Sequence, residues 1–345
     1  MKIVVLAGGI STEREVSIVS GSMVCRALRE KGHDAILLDV FFGKKEITPE
    51  EAFSSEYSLE EEIAYIKSFN AQAEEARKGK RDFFGPNVIA LCKRADVVFL
   101  ALHGENGENG KVQAAFDLLH IKYTGTGHLS SAMAMDKGLT KKLLQAAGVP
   151  VPAGKVIKKD QKRKTAEELG LTLPVVVKPC CGGSSVGVFI VHTESEYEKA
   201  LEEAFGYEDE VVVEAYISGR EFSVGVVDDQ VYPVIEIAPL EGFYDYKNKY
   251  TAGSTVETCP AEITAEETKR MQEYADRANR ALMVEGYARW DFLMDHEGNI
   301  YCLEGNTLPG MTPTSLLPQE AGVLGITFPQ LCELLVKVSM KKYES

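Results

Sequence analysis

Residues 287–306 read YARWDFLMDHEGNIYCLEGN and predict a β-hairpin. Two apolar strands flank Glu297-Gly298, a dipeptide that suits a two-residue turn. Such a turn pairs His296 with Asn299 and thereby sets the register of every other pair along the two strands. Because side chains alternate across a strand, this register also decides which residues share a face.

Four polar residues share one face of this hairpin, since the register places Asp291 opposite Glu304 and Arg289 opposite Asn306. Directly opposed carboxylates are destabilising unless a cation lies near them. The candidate ligands Asp291, Glu304 and Asn306 are all oxygens, with no Cys or His nearby, which favours Mg²⁺ or Mn²⁺ bridged to phosphate over zinc. The alternative is a solvated edge with both carboxylates in water. The polar Gly/Pro loop that follows, NTLPGMTPTSLLP, favours a binding site.

Upstream of the hairpin, strand 173–178 ends at Lys178 and runs into CCGGSSVG. Glycines let backbone N–H groups approach phosphate oxygens, and serine hydroxyls add donors. The lysine precedes the glycines, so this is not a Walker A loop, and a plain flexible loop is the alternative. Lys137 is a second candidate cation. Strand 211–214 ends at Glu214, and Glu221 follows, in an order that could present backbone groups to a purine and a carboxylate to a ribose.

The N-terminal part opens as a βαβ unit, with strands at 2–7 and 35–40. The helix between them ends at Gly32, and its apolar residues at helical spacing are Val16, Val19, Met23 and Ala27. The segment LAGGISTERE lacks G-x-G-x-x-G, so a Rossmann dinucleotide site is set aside. The charged stretch 41–87, with a helix around 60–78, is interpreted as an insertion.

Two polar residues of this part are candidates for the site. Glu13, at the start of the first helix, either stabilises the helix dipole or faces a substrate ammonium. His103 follows strand 96–102, at the end where open α/β sheets place ligands, although a lone histidine there is more often structural.

Composition excludes several classes of protein. The 345 residues are 45% hydrophobic and 26% charged, as in ordinary globular proteins. Lys+Arg 38 against Asp+Glu 52 gives a net charge of −14, which disfavours nucleic acid or an anionic membrane as partner. The seven cysteines form no Cys-x-x-Cys pair, and no stretch predicts a signal peptide or membrane span, so a cytoplasmic location is expected.

Seven motifs together resemble the D-alanine–D-alanine ligases of the ATP-grasp superfamily. They are STEREVS, HGENGENG, MDK, VVKPCCGGSSVG, FYDYKNKY, ARWDF and LEGNTLPGMTPTSLLP. The resemblance implies a three-domain ATP-grasp architecture, in which a parallel α/β domain precedes two α+β halves that clamp the nucleotide. The expected domains are 1–125, 126–217 and 218–345.

The resemblance implies that ATP activates one D-alanine as an acyl phosphate, which the amine of a second D-alanine attacks through a tetrahedral intermediate. Lys137 and Lys178 would hold phosphates, and Asp291, Glu304 and Asn306 would hold two Mg²⁺ or Mn²⁺ ions. The other nucleotide-binding residues by resemblance are Ser185, Glu214, Ala215, Glu221 and Lys249, with Glu221 on the ribose and the backbone beside Glu214 on the adenine.

On the substrate side, the resemblance assigns Glu13 to the ammonium of the first D-alanine and places His103 beside the substrate. Arg289 and the N–H of Gly310 would form an oxyanion hole. The second carboxylate would be received by Ser315 and the N–H of Leu316. Tyr250 and Ser184 would tie a mobile tyrosine-rich loop to Glu13.

Three alternatives stay open at this point. D-alanine–D-serine and D-alanine–D-lactate ligases share the scaffold, although Tyr250 favours an amino-acid acceptor over lactate. A catalytically silent ATP-grasp protein that binds nucleotide is the third alternative. A homodimer is expected by resemblance, and oxidation of Cys180-Cys181 is a hypothesis for regulating the glycine loop.

Overall fold

The structure is a computed structural model that describes residues 1–48, 51–53, 57–79, 82–161, 164–183, 185–239 and 255–344. Within these residues the main strands form one parallel sheet and two antiparallel sheets. Ser184, Lys249 and Tyr250, together with the tyrosine-rich loop, lie outside the described residues.

The N-terminal part is a parallel sheet of order β2-β1-β3 with helices packed on it. Its elements are β1 (Lys2–Ala7), α1 (Arg14–Glu30), β2 (Asp34–Asp39), α2 (Leu59–Lys67), α3 (Asn70–Lys78), α4 (Val88–Arg94), β3 (Val97–Leu100) and α5 (Lys111–Leu118). Residues 3–7 are fully buried because each face of the sheet contributes to a separate apolar cluster. The predicted βαβ opening is therefore confirmed.

Helix α1 was predicted, but its buried face was not. Val19 and Met23 are exposed, whereas Ser17 and Gly21 are buried against the sheet. A Cβ at Gly21 would lie only 2.6 Å from the Cβ of Ala7. Of the predicted positions Ala27 is buried, but the large apolar residues that α1 buries are Ile18, Val24 and Leu28, so the predicted spacing selected the wrong face.

The described residues of the stretch 41–87 pack as part of this N-terminal core. The single helix expected around 60–78 is two helices, since α2 ends at Lys67 and α3 begins at Asn70. Ile66 is fully buried in the cluster that contains α1. The Arg14 guanidinium donates to the Ile66 carbonyl at 2.9 Å and to the Asn70 side chain at 3.0 Å, so the STEREVS arginine fastens this segment to α1.

The middle of the chain forms an antiparallel sheet of order β4-β7-β5-β6. Its elements are α6 (His128–Met135), α7 (Lys137–Ala146), β4 (Gly154–Lys158), β5 (Val175–Pro179), β6 (Phe189–Val191), α8 (Glu194–Tyr207) and β7 (Glu210–Ala215). Val175 and Val177 face α8 in the apolar cluster. Val176 and Lys178 therefore face the opposite side, where the candidate site lies.

The last part forms a second antiparallel sheet of order β11-β10-β8-β12-β13, with β9 paired to β8. Its elements are β8 (Gly219–Val227), β9 (Gln230–Val231), β10 (Ile235–Pro239), β11 (Thr255–Thr258), α9 (Ala265–Ala281), β12 (Tyr287–Asp295), β13 (Ile300–Asn306), α10 (Leu316–Val323) and α11 (Phe328–Met340). Trp290 and Phe292 are buried in the cluster that contains α9. Arg289 and Asp291 alternate with them and face the other side.

The hairpin register is confirmed at the site and wrong at the turn. Arg289 pairs with Asn306 and Asp291 with Glu304, as predicted. At the turn, the N–H of Asp295 donates to the carbonyl of Asn299, so the loop has three residues, 296–298, instead of two. A register shift between Asp291 and Phe292 offsets the extra loop residue. The bulge therefore restores the pairing on which the site depends.

The division at 125 and 217 stays a prediction, and two segments pack across it. Ala134 and Leu144, on α6 and α7, belong to the core of the last sheet. Leu335 and Val336, on α11, belong to the core of the N-terminal sheet. No single helix in the described ranges is long and apolar enough to cross a membrane, although α10 and the segment Phe328–Tyr343, bent by 103°, pass that test as a pair.

Candidate active site

A cavity of about 420 Å³ lies between the two antiparallel sheets. The predicted residues that line it are Lys137, Lys178, Ser185, Glu214, Ala215, Glu221 and Glu304. Apolar walls come from Val176 and Ile190 on one sheet and from Leu293 and Leu303 on the other. Apolar walls with a few convergent charged groups are typical of a small-molecule site.

A buried carboxylate between two ammonium groups dominates the charge of one wall. Glu214 Oε1 lies 2.6 Å from Lys178 Nζ, and Glu214 Oε2 lies 2.5 Å from Lys141 Nζ. Burial alone would raise the pKa of Glu214, but the two lysines outweigh it and hold the pKa below its usual value. Glu214 is therefore ionised at neutral pH.

Lys137 links the glycine loop to the hairpin. Its ammonium donates to the carbonyl of Gly182 and lies 3.1 Å from Glu304 Oε2. Burial opposes the charge on Lys137, but the Glu304 carboxylate outweighs burial and raises the pKa of the lysine. A charged lysine thus lies between the loop and the second strand of the hairpin.

Asp291 is held by donors on three sides. Arg289 donates to both of its oxygens at 2.9 Å, Asn306 donates to Oδ2 at 2.9 Å, and Ser223 donates to Oδ1 at 2.8 Å. The two facing carboxylates are tolerated because each has its own cation, Arg289 for Asp291 and Lys137 for Glu304. The solvated-edge alternative does not hold, since Asp291 is only 5% exposed.

The same oxygens form a donor set that suits a hard divalent cation. Asp291 and Glu304 lie on neighbouring strands in direct register, and the Asn306 side chain contacts Asp291. No group of three or more His, Cys, Asp or Glu residues in the described ranges could hold a metal. The third ligand at the hairpin would therefore be the amide oxygen of Asn306, in keeping with the oxygen preference of Mg²⁺.

Glu13 approaches the cavity from the N-terminal part. A Cβ at Gly104 would lie 2.7 Å from Glu13 Oε2, and a Cβ at Gly183 would lie 3.4 Å from the same oxygen. The Glu13 carboxylate therefore lies between the loop after β3 and the glycine loop. It is 8% exposed, so any ligand that reaches it is largely shielded from water.

His103 contacts two other parts of the chain in this region. Its Nδ1 lies 3.2 Å from the carbonyl of Leu308, and its Nε2 lies 3.1 Å from the hydroxyl of Ser20. Burial lowers the pKa of His103, which keeps the ring neutral at pH 7. Both ring nitrogens have protein partners, so a direct contact of His103 with substrate stays a prediction.

The loop after β13 leads into α10, and Ser315 is its N-cap residue. The Ser315 hydroxyl accepts from the N–H of Thr312 at 3.0 Å and lies 2.8 Å from the Thr312 hydroxyl. A Cβ at Gly310 would lie 3.0 Å from Ser315 Oγ, so Gly310 and Ser315 are neighbours. The first turn of a helix has N–H groups without intrahelical partners, and Leu316 opens this turn.

Comparison with known proteins gives one consistent result. A D-ala D-ala ligase N-terminus model matches residues 2–126, and a D-ala D-ala ligase C-terminus model matches residues 143–337. The D-alanine–D-alanine ligase of Pediococcus pentosaceus is 45% identical, over 100% of this chain and 99% of its own length. The ligase of Lacticaseibacillus casei is 42% identical, over 99% of this chain and 97% of its own length.

The chain belongs to the D-alanine–D-alanine ligase family. Two solved structures extend the comparison to the fold. The D-alanine–D-alanine ligase of Bacillus anthracis complexed with ATP has a TM-score of 0.76 at 29% identity, covering 100% of this chain and 98% of its own. The VanG D-Ala:D-Ser ligase from Enterococcus faecalis has a TM-score of 0.79 at 32% identity, covering 98% and 99%. The ATP-grasp fold expected from the motifs is therefore confirmed.

Sequence analysis missed three titratable residues near the site of this ligase-family chain, Glu108, Glu320 and Lys141. Glu108 accepts from the N–H of Gly104 at 2.6 Å, and burial, aided by the nearby Glu13 charge, raises the pKa of Glu108 to about 8. Glu320 accepts from the N–H of Gly225 at 2.6 Å, and burial raises its pKa to about 8 as well.

Lys141 is the third. It lies four residues after Lys137 on α7, which places both lysines on one helix face, and this spacing was an available signal. Glu320 also had a signal, because it falls four residues after Leu316 and three after Leu317, on the apolar face of α10. For Glu108 the sequence offered only its place in HGENGENG.

Proposed function

We propose that this protein uses ATP to join two D-alanines, releasing ADP and phosphate and supplying a dipeptide for peptidoglycan synthesis. The observation that carries the proposal is the pair of facing carboxylates, Asp291 and Glu304, each neutralised by its own cation, with Glu304 and Lys137 in the wall of the cavity. Family membership agrees with it.

ATP occupies the cavity between the antiparallel sheets in this proposal. The apolar walls would accommodate the purine, and the backbone beside Glu214 and Ala215, at the end of β7, would bind its polar edge. Glu221 accepts from the ribose. Lys137, Lys178 and Ser185 contact the phosphates from the glycine-loop side of the cavity.

Charge neutralisation is the main requirement of the first step, because a carboxylate anion approaches a phosphate of several negative charges. Lys137 and Lys178 provide two positive charges in a largely buried setting, where such charges act most strongly. Asp291, Glu304 and Asn306 would hold two Mg²⁺ or Mn²⁺ ions, whose charge would offset that of the phosphates.

The amino acids lie beyond the phosphates, toward the N-terminal part. Glu13 binds the ammonium of the first D-alanine, and Arg289 and the N–H of Gly310 stabilise the tetrahedral oxyanion. Ser315 and the N–H of Leu316 receive the second carboxylate, for which the start of α10 is suited. The contributions of Ser184, Lys249 and Tyr250 stay predictions, since they lie outside the described residues.

The test is product analysis with ATP, D-alanine and one of three acceptors, D-alanine, D-serine or D-lactate, at about pH 6 and about pH 9. An amine must be unprotonated to attack, so dipeptide formation rises with pH and ester formation does not. Asp291→Asn should abolish D-alanine-dependent phosphate release, whereas Asp229→Asn, at an exposed position, should retain it.

Two results would contradict the proposal. A dominant ester product at the lower pH would assign a D-alanine–D-lactate ligase. Nucleotide binding without any D-alanine-dependent phosphate release would assign a silent nucleotide-binding protein.

A D-serine acceptor is the second candidate, favoured by the similarity to the VanG D-Ala:D-Ser ligase. Serine adds only one hydroxyl to alanine, and an apolar pocket rejects such an addition poorly. Equal mixtures of D-alanine and D-serine as acceptors would separate the two candidates by the ratio of the mixed to the plain dipeptide.

We also propose a cytoplasmic location and a homodimer. The seven cysteines, all within the described ranges, are free thiols, in keeping with a reducing compartment. The homodimer is supported only by the family resemblance, and light scattering at several protein concentrations tests it.

A further inference from the structure

Lys141 has no role in the proposal above, yet it forms one of the two ion pairs of Glu214. It lies 2.5 Å from Glu214 Oε2, while Lys178 lies 2.6 Å from Oε1. Glu214 is 3% exposed, and both lysines are below 10%. Lys178 and Glu214 line the cavity, whereas Lys141 does not. Lys141 therefore contacts Glu214 from behind the cavity wall.

Two lysines on one carboxylate give a net positive charge in the absence of ligand. Burial and the nearby Lys178 lower the pKa of Lys141, and the Glu214 carboxylate opposes this shift. An anion in the cavity would attract Lys178, which is the partner of Glu214 that lines the cavity. If Lys178 were the only partner of Glu214, its movement to a phosphate would leave a buried carboxylate without a counter-charge, which is strongly unfavourable.

We propose that Lys141 is a positioning residue that keeps Glu214 neutralised, so that Lys178 is available to the phosphates of the nucleotide. The inference rests on the proposed binding of ATP in this cavity. It assigns Lys141 no contact with the nucleotide, so its effect depends on Lys178 and on the phosphates, and not on the purine.

The test compares adenosine with ADP by titration calorimetry in one Mg²⁺-containing buffer, and the readout is the ratio of the two affinities. In Lys141→Met, Glu214 retains Lys178 as its only partner. The ratio of ADP to adenosine affinity should then fall about tenfold to a hundredfold, the worth of one hydrogen bond to a charged group. Lys142→Met, at the exposed neighbouring position, should leave the ratio unchanged.

A second variant keeps the inference testable if Lys141→Met is poorly folded. In Lys141→Met/Glu214→Gln the carboxylate that retains Lys178 is gone, so the ratio should return toward the wild-type value. Any contact of Glu214 with the purine changes the affinities for adenosine and for ADP equally, so it cancels in their ratio.

Three results would overturn the inference. Equal losses for adenosine and ADP in Lys141→Met would assign Lys141 a merely structural role. An unrestored ratio in the double variant would exclude action through Glu214. A wild-type protein that binds ADP no more tightly than adenosine would exclude a lysine–phosphate contact. Failure of the ligase function would appear separately, as absent dipeptide in the product assay.

Discussion

Glu214 and Glu320 are both buried carboxyl groups, but their surroundings shift the two pKa values in opposite directions. Glu214, in the wall of the cavity, contacts two ammonium groups, which outweigh burial and lower its pKa. Glu320, on α10, accepts a hydrogen bond from the backbone N–H of Gly225, and burial raises its pKa to about 8. Depth of burial is similar, so the partners decide the ionisation.

Glu108 resembles Glu320 in its partner and in its pKa. It too is bound by one backbone N–H, from Gly104, and its pKa is also raised to about 8. Glu214 and Glu304, in the wall of the cavity, are paired with lysines, whereas Glu108 and Glu320 accept from the backbone. Buried ion pairs also occur away from the cavity, since Asp39 pairs with Arg14 at 2.6 Å in the N-terminal part.

The largest effect is expected for Glu214→Gln at neutral pH. The substitution leaves Lys141 and Lys178 buried without their carboxylate, and breaking a buried ion pair costs about 3–5 kcal/mol of the free energy of unfolding. Urea denaturation measures it, with the exposed Glu203→Gln on α8 as control. Because the pKa of Glu214 is lowered in the fold, its stabilisation is lost as pH falls, so the penalty should shrink in acid. An unchanged free energy of unfolding at neutral pH would show that the ion pairs contribute nothing.

The second effect is a pH dependence that Glu320→Gln should remove. The carboxyl of Glu320 has an ordinary pKa of 4.5 and a pKa of about 8 in the fold, so between these values the unfolded chain releases a proton that the folded protein keeps. The stabilising contribution is complete below 4.5 and is lost as pH rises toward 8. Between about pH 5.5 and about pH 7.5, the free energy of unfolding of Glu320→Gln should therefore rise by about 2–3 kcal/mol relative to that of wild type.

Urea denaturation at the two pH values measures this change in the free energy of unfolding. The raised pKa of Glu108 affects wild type and variant equally, so its contribution cancels in the difference. The exposed Glu203→Gln should show no such gain. A constant difference between wild type and Glu320→Gln across the range would mean that Glu320 is ionised in the fold, and the contrast with Glu214 would disappear.

A smaller effect is expected for Ser223→Ala. The Ser223 hydroxyl donates to Asp291 Oδ1 at 2.8 Å, and removing a group that orients a metal ligand typically lowers metal affinity about tenfold to a hundredfold. The measurement is the Mg²⁺ concentration that gives half-maximal phosphate release. Ser17→Ala removes a fully buried hydroxyl in the N-terminal part, and should lower stability without changing the Mg²⁺ dependence. An equal Mg²⁺ requirement in Ser223→Ala and wild type would argue against Asp291 as a ligand.

The hairpin shows how much of the site the sequence could predict. The pairing of Asp291 with Glu304 followed from alternation and a turn signal, although the turn itself was a residue longer and a bulge made up the difference. The prediction succeeded because opposed polar side chains are a local property of two adjacent strands. Arg289, the cation of Asp291, lies on the same predicted face, but the cation of Glu304 was not predictable in the same way. Lys137 reaches Glu304 from α7, and this contact depends on how the elements pack.

Glu320 shows what the sequence could not predict. Its partner is the N–H of Gly225, 95 residues away, and the contact exists only because α10 lies tightly on β8. A Cβ at Gly225 would lie 2.4 Å from Leu317 and 2.5 Å from Glu320, so this close approach requires glycine. A charged residue on an apolar helix face indicates a buried partner, but the sequence does not say which one.

The smallest effect is expected at the glycine loop, where the regulatory hypothesis for Cys180-Cys181 can be tested. Burial, aided by acidic neighbours, raises the pKa of Cys180 to about 12. Cys181 is exposed as a residue, but partial burial of its thiol and acidic neighbours raise its pKa to about 11, against the effect of Lys137. Thiolate is the reactive form, so both thiols should react with iodoacetamide far more slowly than a free cysteine at pH 7.5. Cys181→Ser should shift the free energy of unfolding by less than about 0.5 kcal/mol, as for an exposed residue, and leave ADP affinity unchanged. Rapid alkylation with loss of ADP binding would contradict this prediction. It would show that the nearby lysine, and not burial, decides the ionisation of these thiols, as the two lysines do for Glu214.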